Sequence, residues 1–140
     1  NGRGDGTIVL QESGVAYAFV EEALPLLERD GIDLNVYYVA SAELFDALPA
    51  DERARIYPEE RAREAMGITG FTLATMYRWI TSEAGRASTL HPFQRGHYLG
   101  SGQAQHVLRE AGLDGESQHA AILRYVNAKK PVDCWQFARE

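Results

Sequence analysis

The 140-residue chain has the length of one globular domain. Apolar residues make up 45% of it and charged residues 24%, and no apolar run approaches the ~20 residues of a membrane-spanning helix. Acidic residues outnumber basic ones by 20 to 14, which gives a net charge of −6. Nucleic-acid-binding proteins usually carry a basic excess. The composition therefore argues against nucleic acid and membrane as partners.

The beginning of the chain is unusual. It starts at Asn1 rather than Met and continues into a Gly-rich stretch without the pattern of a signal peptide. We expect residues 1–6 to be a flexible start, and the chain to be part of a longer protein. The tripeptide 3–5 (Arg-Gly-Asp) matches an integrin-binding motif, but so short a motif recurs by chance, and a Gly-rich turn is the simpler interpretation. The single cysteine, Cys134, cannot form an internal disulfide and favours a reducing, cytoplasmic location.

The first forty residues predict a strand, a helix and a second strand. Residues 7–11 and 34–40 are rich in β-branched and aromatic side chains, which is typical of strands. Ser13 is the predicted N-cap of the intervening helix, and Gly31 its stop. Pro25 predicts a kink or break of this helix near Leu24. Short connections between two strands and a helix indicate a parallel pair with a right-handed crossover.

The rest of the chain alternates helical and extended patterns less clearly. Ser41 is a predicted cap of a short helix, and the charged residues 51–64, divided by Pro58, indicate a solvated face or, alternatively, a surface for a partner. The remaining predictions are a strand at 61–66, a helix from Phe71 to Gly85, a strand at 87–90, a helix after 102 that ends at Gly112, a last helix capped by Asp114, and a tail at 129–140 that docks on the domain through Val132, Trp135 and Phe137.

The clearest binding motif is Gly100-Ser101-Gly102, which opens a predicted helix. Backbone N–H groups there attract anions, and Arg95 and His97 would add donors to Ser101 and Gly102. Gln105 stands where the dinucleotide motif needs a third Gly or Ala, so a small anion or a plain turn are the interpretations left open. No histidine pair has metal-ligand spacing, no GxSxG motif occurs, and Cys134 lies in the predicted tail. We therefore predict neither catalytic nor metal-binding residues.

Several segments, in their order along the chain, resemble the C-terminal domain of transketolase and related thiamine-diphosphate enzymes. Residues 34–46 resemble the family's strand followed by S-x-x-E-L-F, and residues 64–71 its E-A-G-V-T-x-G-W segment. Residues 98–102 and 107–113 resemble the F-G-x-S turn and the helix ending in F-G-I-T. The chain departs from the family at 91–97, which are extra, at Phe71, where the family has Trp, and at Pro25.

The resemblance implies a three-layer α/β/α sandwich, at residues 7–128, with a mixed, mostly parallel sheet of about five strands, one antiparallel. It implies that thiamine diphosphate and Mg²⁺ belong to the full-length enzyme and are held by upstream domains, so this chain carries no catalytic or cofactor-binding residue. The expected partners are those upstream domains and a second copy in a homodimer.

Two alternatives stay open. The homodimeric dehydrogenase component of 2-oxoacid (pyruvate) complexes has a similar domain, and the chain could instead be an independent anion-binding or partner-binding module.

Overall fold

A computed structural model describes residues 5–92 and 113–129 of the chain. Its strands are β1 (Gly6–Gln11), β2 (Leu34–Val39) and β3 (Met66–Thr69). Its helices are α1 (Ser13–Ala18), α2 (Leu24–Arg29), α3 (Ala42–Asp46), α4 (Ala50–Ile56), α5 (Glu59–Glu64), α6 (Glu83–Ser88) and α7 (Gly115–Lys129), with a π-helical turn at Phe19–Ala23 and a 3₁₀ turn at Leu73–Met76.

The three strands form one parallel sheet in the order β2-β1-β3. Ile8 of β1 pairs with Val36 on one side and with Met66 on the other. The predicted parallel pair of β1 and β2 is confirmed. Because β1 is central, it is buried on both faces, and it is a nearly continuous apolar run as such strands are.

Helices and apolar side chains cover both faces of the sheet, as the predicted α/β layering requires. Leu10 belongs to the larger core cluster, together with Phe19 of the π-helical turn and Ile122 of α7, which are both fully buried. Val9 faces the other way, into a smaller cluster with Met76 and Ile80. This alternation follows from the period of two along a strand.

A buried hydroxyl ties the ends of the described chain together. The Thr7 amide donates to Tyr125 Oη at 3.1 Å, and Tyr125 Oη donates to the Glu64 carbonyl oxygen, so α7 is fixed to both β1 and α5. Burial raises the pKa of Tyr125 to about 12, which keeps this hydroxyl protonated. Gly6 adjoins the same ring, since a Cβ there would lie 2.6 Å from Tyr125 Cε2.

The first helical segment continues past Pro25 instead of breaking. The turn before Pro25 is π-helical, and the Leu24 amide donates to the Phe19 carbonyl five residues earlier. Pro25 then lies at the first positions of α2, where its missing N–H costs little. The predicted stop is confirmed, because Gly31 has a φ of +74°.

Three predicted elements are wrong. Residues 61–66 do not form a strand: α5 runs to Glu64, supported by the i,i+4 pair of Arg63 with Glu59 at 3.4 Å, and β3 begins only at Met66. The helix from Phe71 to Gly85 is reduced to a 3₁₀ turn, and Gly85 lies inside α6 rather than ending a helix.

The third wrong element is the strand at 87–90. Residues up to Ser88 belong to α6. Leu90 forms an isolated parallel bridge to Ile68, and Thr89 Oγ1 accepts from the Gly67 amide at 3.0 Å, but this stretch forms no strand.

The predicted cap at Ser41 is confirmed. Ser41 caps α3, with its hydroxyl accepting from the Leu44 amide at 3.1 Å. The charged stretch is solvated, since Ala62 is the one buried residue of α4 and α5.

The division into 1–6, 7–128 and 129–140, the additional strands and the docked tail remain predictions that involve residues outside those described. None of the described helices combines the length and apolar character needed to cross a membrane.

Candidate functional site

A cleft of about 450 Å³ opens at the carboxyl edge of the sheet. In α/β sheets of this kind, ligands bind beyond the carboxyl ends of the strands, where connections leave toward opposite sides. The cleft is formed by the end of β1, by the end of β2 with the start of α3, and by a residue two positions after β3. Its lining residues are Gln11, Glu12, Ser13, Tyr38, Val39, Ala40, Ala42 and Phe71. We call it the strand-end cleft.

Glu12 has the one positive φ among the described non-glycine residues, at 90° with ψ at 134°. Such a backbone conformation costs of order 1–3 kcal/mol and is often found at functional sites. The Glu12 Oε1 atom accepts from the Val15 amide at 3.2 Å and so caps α1. The N-cap predicted at Ser13 is therefore wrong by one residue, because the Glu12 backbone turns its carboxylate over the first turn of the helix.

Gly70, directly after β3, leaves room for this carboxylate. A Cβ atom at Gly70 would lie 2.9 Å from Glu12 Oε1 and 3.0 Å from Glu12 Cγ. The Gly70 amide donates to the Gln11 carbonyl oxygen at 3.3 Å. The ends of β1 and β3 are thus in direct contact through a glycine.

Gln11 is oriented by threonines from the β3 side. Thr69 Oγ1 donates to Gln11 Oε1 at 2.5 Å, and Thr75 Oγ1 lies 3.0 Å from the same oxygen. Thr69 Oγ1 is itself fixed, because it accepts from the Phe71 amide at 3.0 Å. With its oxygen held by β3, the Gln11 side chain directs its Nε2 group away from the threonines.

Two aromatic residues of the cleft are half-exposed. Tyr38 belongs to β2 and Phe71 follows β3, and each is 49% exposed. Both residues line the strand-end cleft, Tyr38 from the β2 side and Phe71 from the β3 side. Of the lining residues within 5–92 and 113–129, Glu12 alone carries a charge.

A second cavity, of about 270 Å³, is apolar and lies beside β2 and α3. Its aromatic rings pack edge to face, Tyr37 against Tyr57 at 4.9 Å and Phe45 against Trp79 at 5.2 Å. The Tyr57 hydroxyl donates to the Trp79 carbonyl at 2.5 Å, and burial raises the pKa of Tyr57. This cavity offers packing but few hydrogen-bonding groups.

The predicted anion-binding residues Arg95, His97, Ser101 and Gly102 lie outside the described residues, as does Cys134. Of the segment 91–102 the structure describes His91, whose pKa is lowered by burial, and Pro92. Among residues 5–92 and 113–129, no three His, Cys, Asp or Glu side chains come together as metal ligands.

The sequence does not predict the strand-end cleft. The one available signal is the polar pair Gln11-Glu12, at the end of a buried strand and the start of the turn into a helix.

The described fold is that of an α/β domain with a polar cleft at the carboxyl edge of a parallel sheet. Its backbone is similar to crystal structures of two transketolase mutants from Pichia stipitis, with TM-scores of 0.70 and 0.59. The sequence identities are 17% and 19%, and each match covers 93% of this chain. The chain has a transketolase-like fold, so the fold implied by the sequence resemblance is confirmed.

The matched transketolase chains are much longer than this one, which spans 17% of their length. No protein-family model matches the chain, and no curated protein matches it.

Proposed function

We propose that this chain serves as the C-terminal domain of a transketolase-like thiamine-diphosphate enzyme and supports the assembly of that enzyme without catalysing the reaction itself. The observation that supports this proposal is the similarity in fold over 93% of the chain. The family-like segments at 34–46 and 64–71, which now lie on β2–α3 and α5–β3, are consistent with it.

Mg²⁺ takes oxygen ligands such as carboxylates. Among the described residues no three His, Cys, Asp or Glu side chains come together, which is consistent with a cofactor held elsewhere in the enzyme. In the proposal, the cofactor and the metal belong to other domains of the enzyme.

Exposed apolar side chains favour a role in assembly. Val36 lies on β2, which is an edge strand of the described sheet, and is more than 40% exposed. Tyr17 and Val20, spaced as neighbours on one side of the first helical segment, are more than half exposed. Exposed apolar patches mark contacts with other proteins or domains. We propose that upstream domains or a second copy cover them.

The first experiment measures the activity of the 140-residue chain. Calorimetric titration with thiamine diphosphate and Mg²⁺ is expected to show no binding, and a ketol-transfer assay no turnover, while circular dichroism shows a folded protein. Turnover by the chain alone would contradict the proposal.

The second experiment reads the coding sequence directly upstream of Asn1. An open frame that encodes a G-D-G segment followed by N-N is expected. An in-frame stop codon immediately upstream would contradict the proposal and favour an independent module.

The homodimeric 2-oxoacid dehydrogenase component remains the alternative within the same enzyme class. An activity assay of the full-length enzyme would distinguish the two candidates. A transketolase-like enzyme is expected to catalyse ketol transfer, whereas the alternative is expected to decarboxylate pyruvate.

A further inference from the structure

We propose that the strand-end cleft binds a neutral, hydroxylated ligand with one apolar face, such as a free sugar or a cyclic polyol. The inference concerns the described residues of this chain and does not depend on its membership of a larger enzyme. Four features of the cleft support it: its size, an oriented amide donor, a carboxylate acceptor and two aromatic rings.

The cleft has the size of a small-molecule site. Its volume of about 450 Å³ falls within the ~300–1,000 Å³ typical of ligand pockets. It is also built on the ends of strands rather than on one loop, because β1, β2 and the segment after β3 all contribute. A site on such elements keeps its geometry without the ligand.

The donor is the Gln11 amide. Gln11 Oε1 already accepts a hydrogen bond from Thr69 Oγ1, so Nε2 is the end of the amide that can bind a ligand. Gln11 Nε2 makes no hydrogen bond to residues 5–92 or 113–129. An amide N–H₂ has two donor hydrogens, which suit hydroxyl oxygens.

The acceptor is the second carboxylate oxygen of Glu12. Oε1 caps α1, while Oε2 makes no hydrogen bond within the described part of the chain. Gln11 and Glu12 are adjacent in sequence, and both line the cleft because the positive φ of Glu12 turns the chain there. A donor beside a charged acceptor matches a ligand whose neighbouring hydroxyls both accept and donate.

The aromatic rings supply the apolar contact. Tyr38 and Phe71 both line the cleft, and each exposes about half of its surface. A sugar or cyclic polyol presents C–H groups on one face and hydroxyls at its edge, which suits a ring beside hydrogen-bonding side chains.

The charge of the cleft selects against anionic ligands. Glu12 is the only charged residue among the described residues that line the cleft, so a phosphate group would meet a like charge from this part of the chain. A phosphorylated sugar is therefore expected to bind more weakly than the free sugar.

The test uses the ¹⁵N-labelled 140-residue chain and D-glucose as the probe, followed by ¹H–¹⁵N correlation spectra. Saturable shifts in the millimolar range are expected at Gln11, Glu12 and Phe71. D-Glucose 6-phosphate and D-glucosamine serve as anionic and cationic comparisons. Absence of saturable shifts with D-glucose in a well-dispersed spectrum overturns the proposal, as does tighter binding of D-glucose 6-phosphate than of D-glucose.

Two variants test the assigned groups, each with a matched control. Tyr38→Ala is expected to raise the dissociation constant for D-glucose about fivefold, while Tyr17→Ala removes an exposed tyrosine outside the cleft and leaves it unchanged. Gln11→Glu keeps an oxygen facing Thr69 but replaces the donor, and is expected to raise the constant about tenfold. Asn127→Asp adds the same negative charge on α7, outside the cleft, and so controls for the effect of the added charge.

Equal effects of Tyr38→Ala and Tyr17→Ala overturn the proposal. If Gln11→Glu does not fold, the tyrosine pair decides alone. Either result leaves the proposed function intact, because that proposal depends on the fold and the upstream sequence rather than on the cleft.

Discussion

The side chain of Glu12 lies against Gly70, at the point where the central strand β1 and its neighbour β3 both end. The Glu12 backbone has a φ of 90°, and a Cβ atom at Gly70 would lie 2.9 Å from Glu12 Oε1. The carboxylate can cap α1 in this position only because residue 70 has no side chain. Two irregular positions, far apart in sequence, thus depend on each other.

We expect Gly70→Ala to destabilise the protein by about 1–3 kcal/mol, because the added methyl group forces the Glu12 side chain away from α1. The free energy of unfolding, measured by urea denaturation, checks this. Thr72→Ala, at an exposed position nearby, is the control and is expected to change stability by less than about 0.5 kcal/mol. A Gly70→Ala variant as stable as this control would contradict the contact.

The cap on α1 is tested at Glu12 and Ser13. Glu12→Ala loses the cap and keeps a non-glycine residue at positive φ, so we expect a loss of about 0.5–2 kcal/mol. Glu12→Gly also loses the cap but adopts this φ freely, and is expected to be about 1 kcal/mol more stable than the alanine variant. Thermal and urea unfolding of both variants measure the difference.

Ser13→Ala is the control for the cap, since Glu12 rather than Ser13 accepts from the Val15 amide. Its stability is expected to stay within about 0.5 kcal/mol of the unaltered chain. A larger loss at Ser13 than at Glu12 would restore the N-cap that the sequence alone predicts.

The buried hydroxyl of Tyr125 is a third target. Tyr125→Phe leaves the buried Thr7 amide without its acceptor, so we expect a loss of about 1–3 kcal/mol. The Thr7 amide of this variant is also expected to exchange its hydrogen faster than in the unaltered chain. Tyr17→Phe, at a tyrosine that is 67% exposed, is the matched control and is expected to be neutral. Equal stabilities of the two variants would exclude a structural role for the Tyr125 hydroxyl.

The pair of Asp30 and His119 predicts a dependence on pH. The hydrogen bond from His119, at 2.6 Å, is the main cause that lowers the pKa of Asp30 below its ordinary value of 3.8. Because the folded-state pKa is lowered, this group stabilises the fold above about pH 3.8, and the contribution is lost as the pH falls through the folded-state value.

Carboxyl NMR titration of His119→Gln is expected to show the pKa of Asp30 rising toward 3.8. Asp46 is an internal control, since the pKa of its carboxyl is lowered mainly by a hydrogen bond from Arg78 and should not change. An unchanged pKa of Asp30, or an equal change in the pKa of Asp46, would contradict the assignment of His119 as the main cause of the lowered pKa.

The sequence predicted the elements whose patterns are local. Apolar and β-branched runs predict β1 and β2, and apolar residues at helical spacing predict α7. The position of Gly31 after a helical pattern predicts that the helix stops there. The same local patterns misplaced the segment from Phe71 to Gly85. Its spacing fits a helix, but Thr69 and Thr75 bond to Gln11 of β1, and Leu90 bridges to Ile68 of β3. Contacts with the sheet override the helical preference there.

By itself, the sequence determined an acidic α/β domain with a parallel β1–β2 pair and an ordered likeness to transketolase-type domains, because period, composition and capping residues act over a few neighbours along the chain. Only the tertiary structure decided the strand-end cleft. Gln11 and Glu12 are oriented by Thr69 and Gly70, more than fifty positions later, and this depends on β3 lying beside β1. A side chain's orientation follows from its neighbours in space, which local patterns do not record.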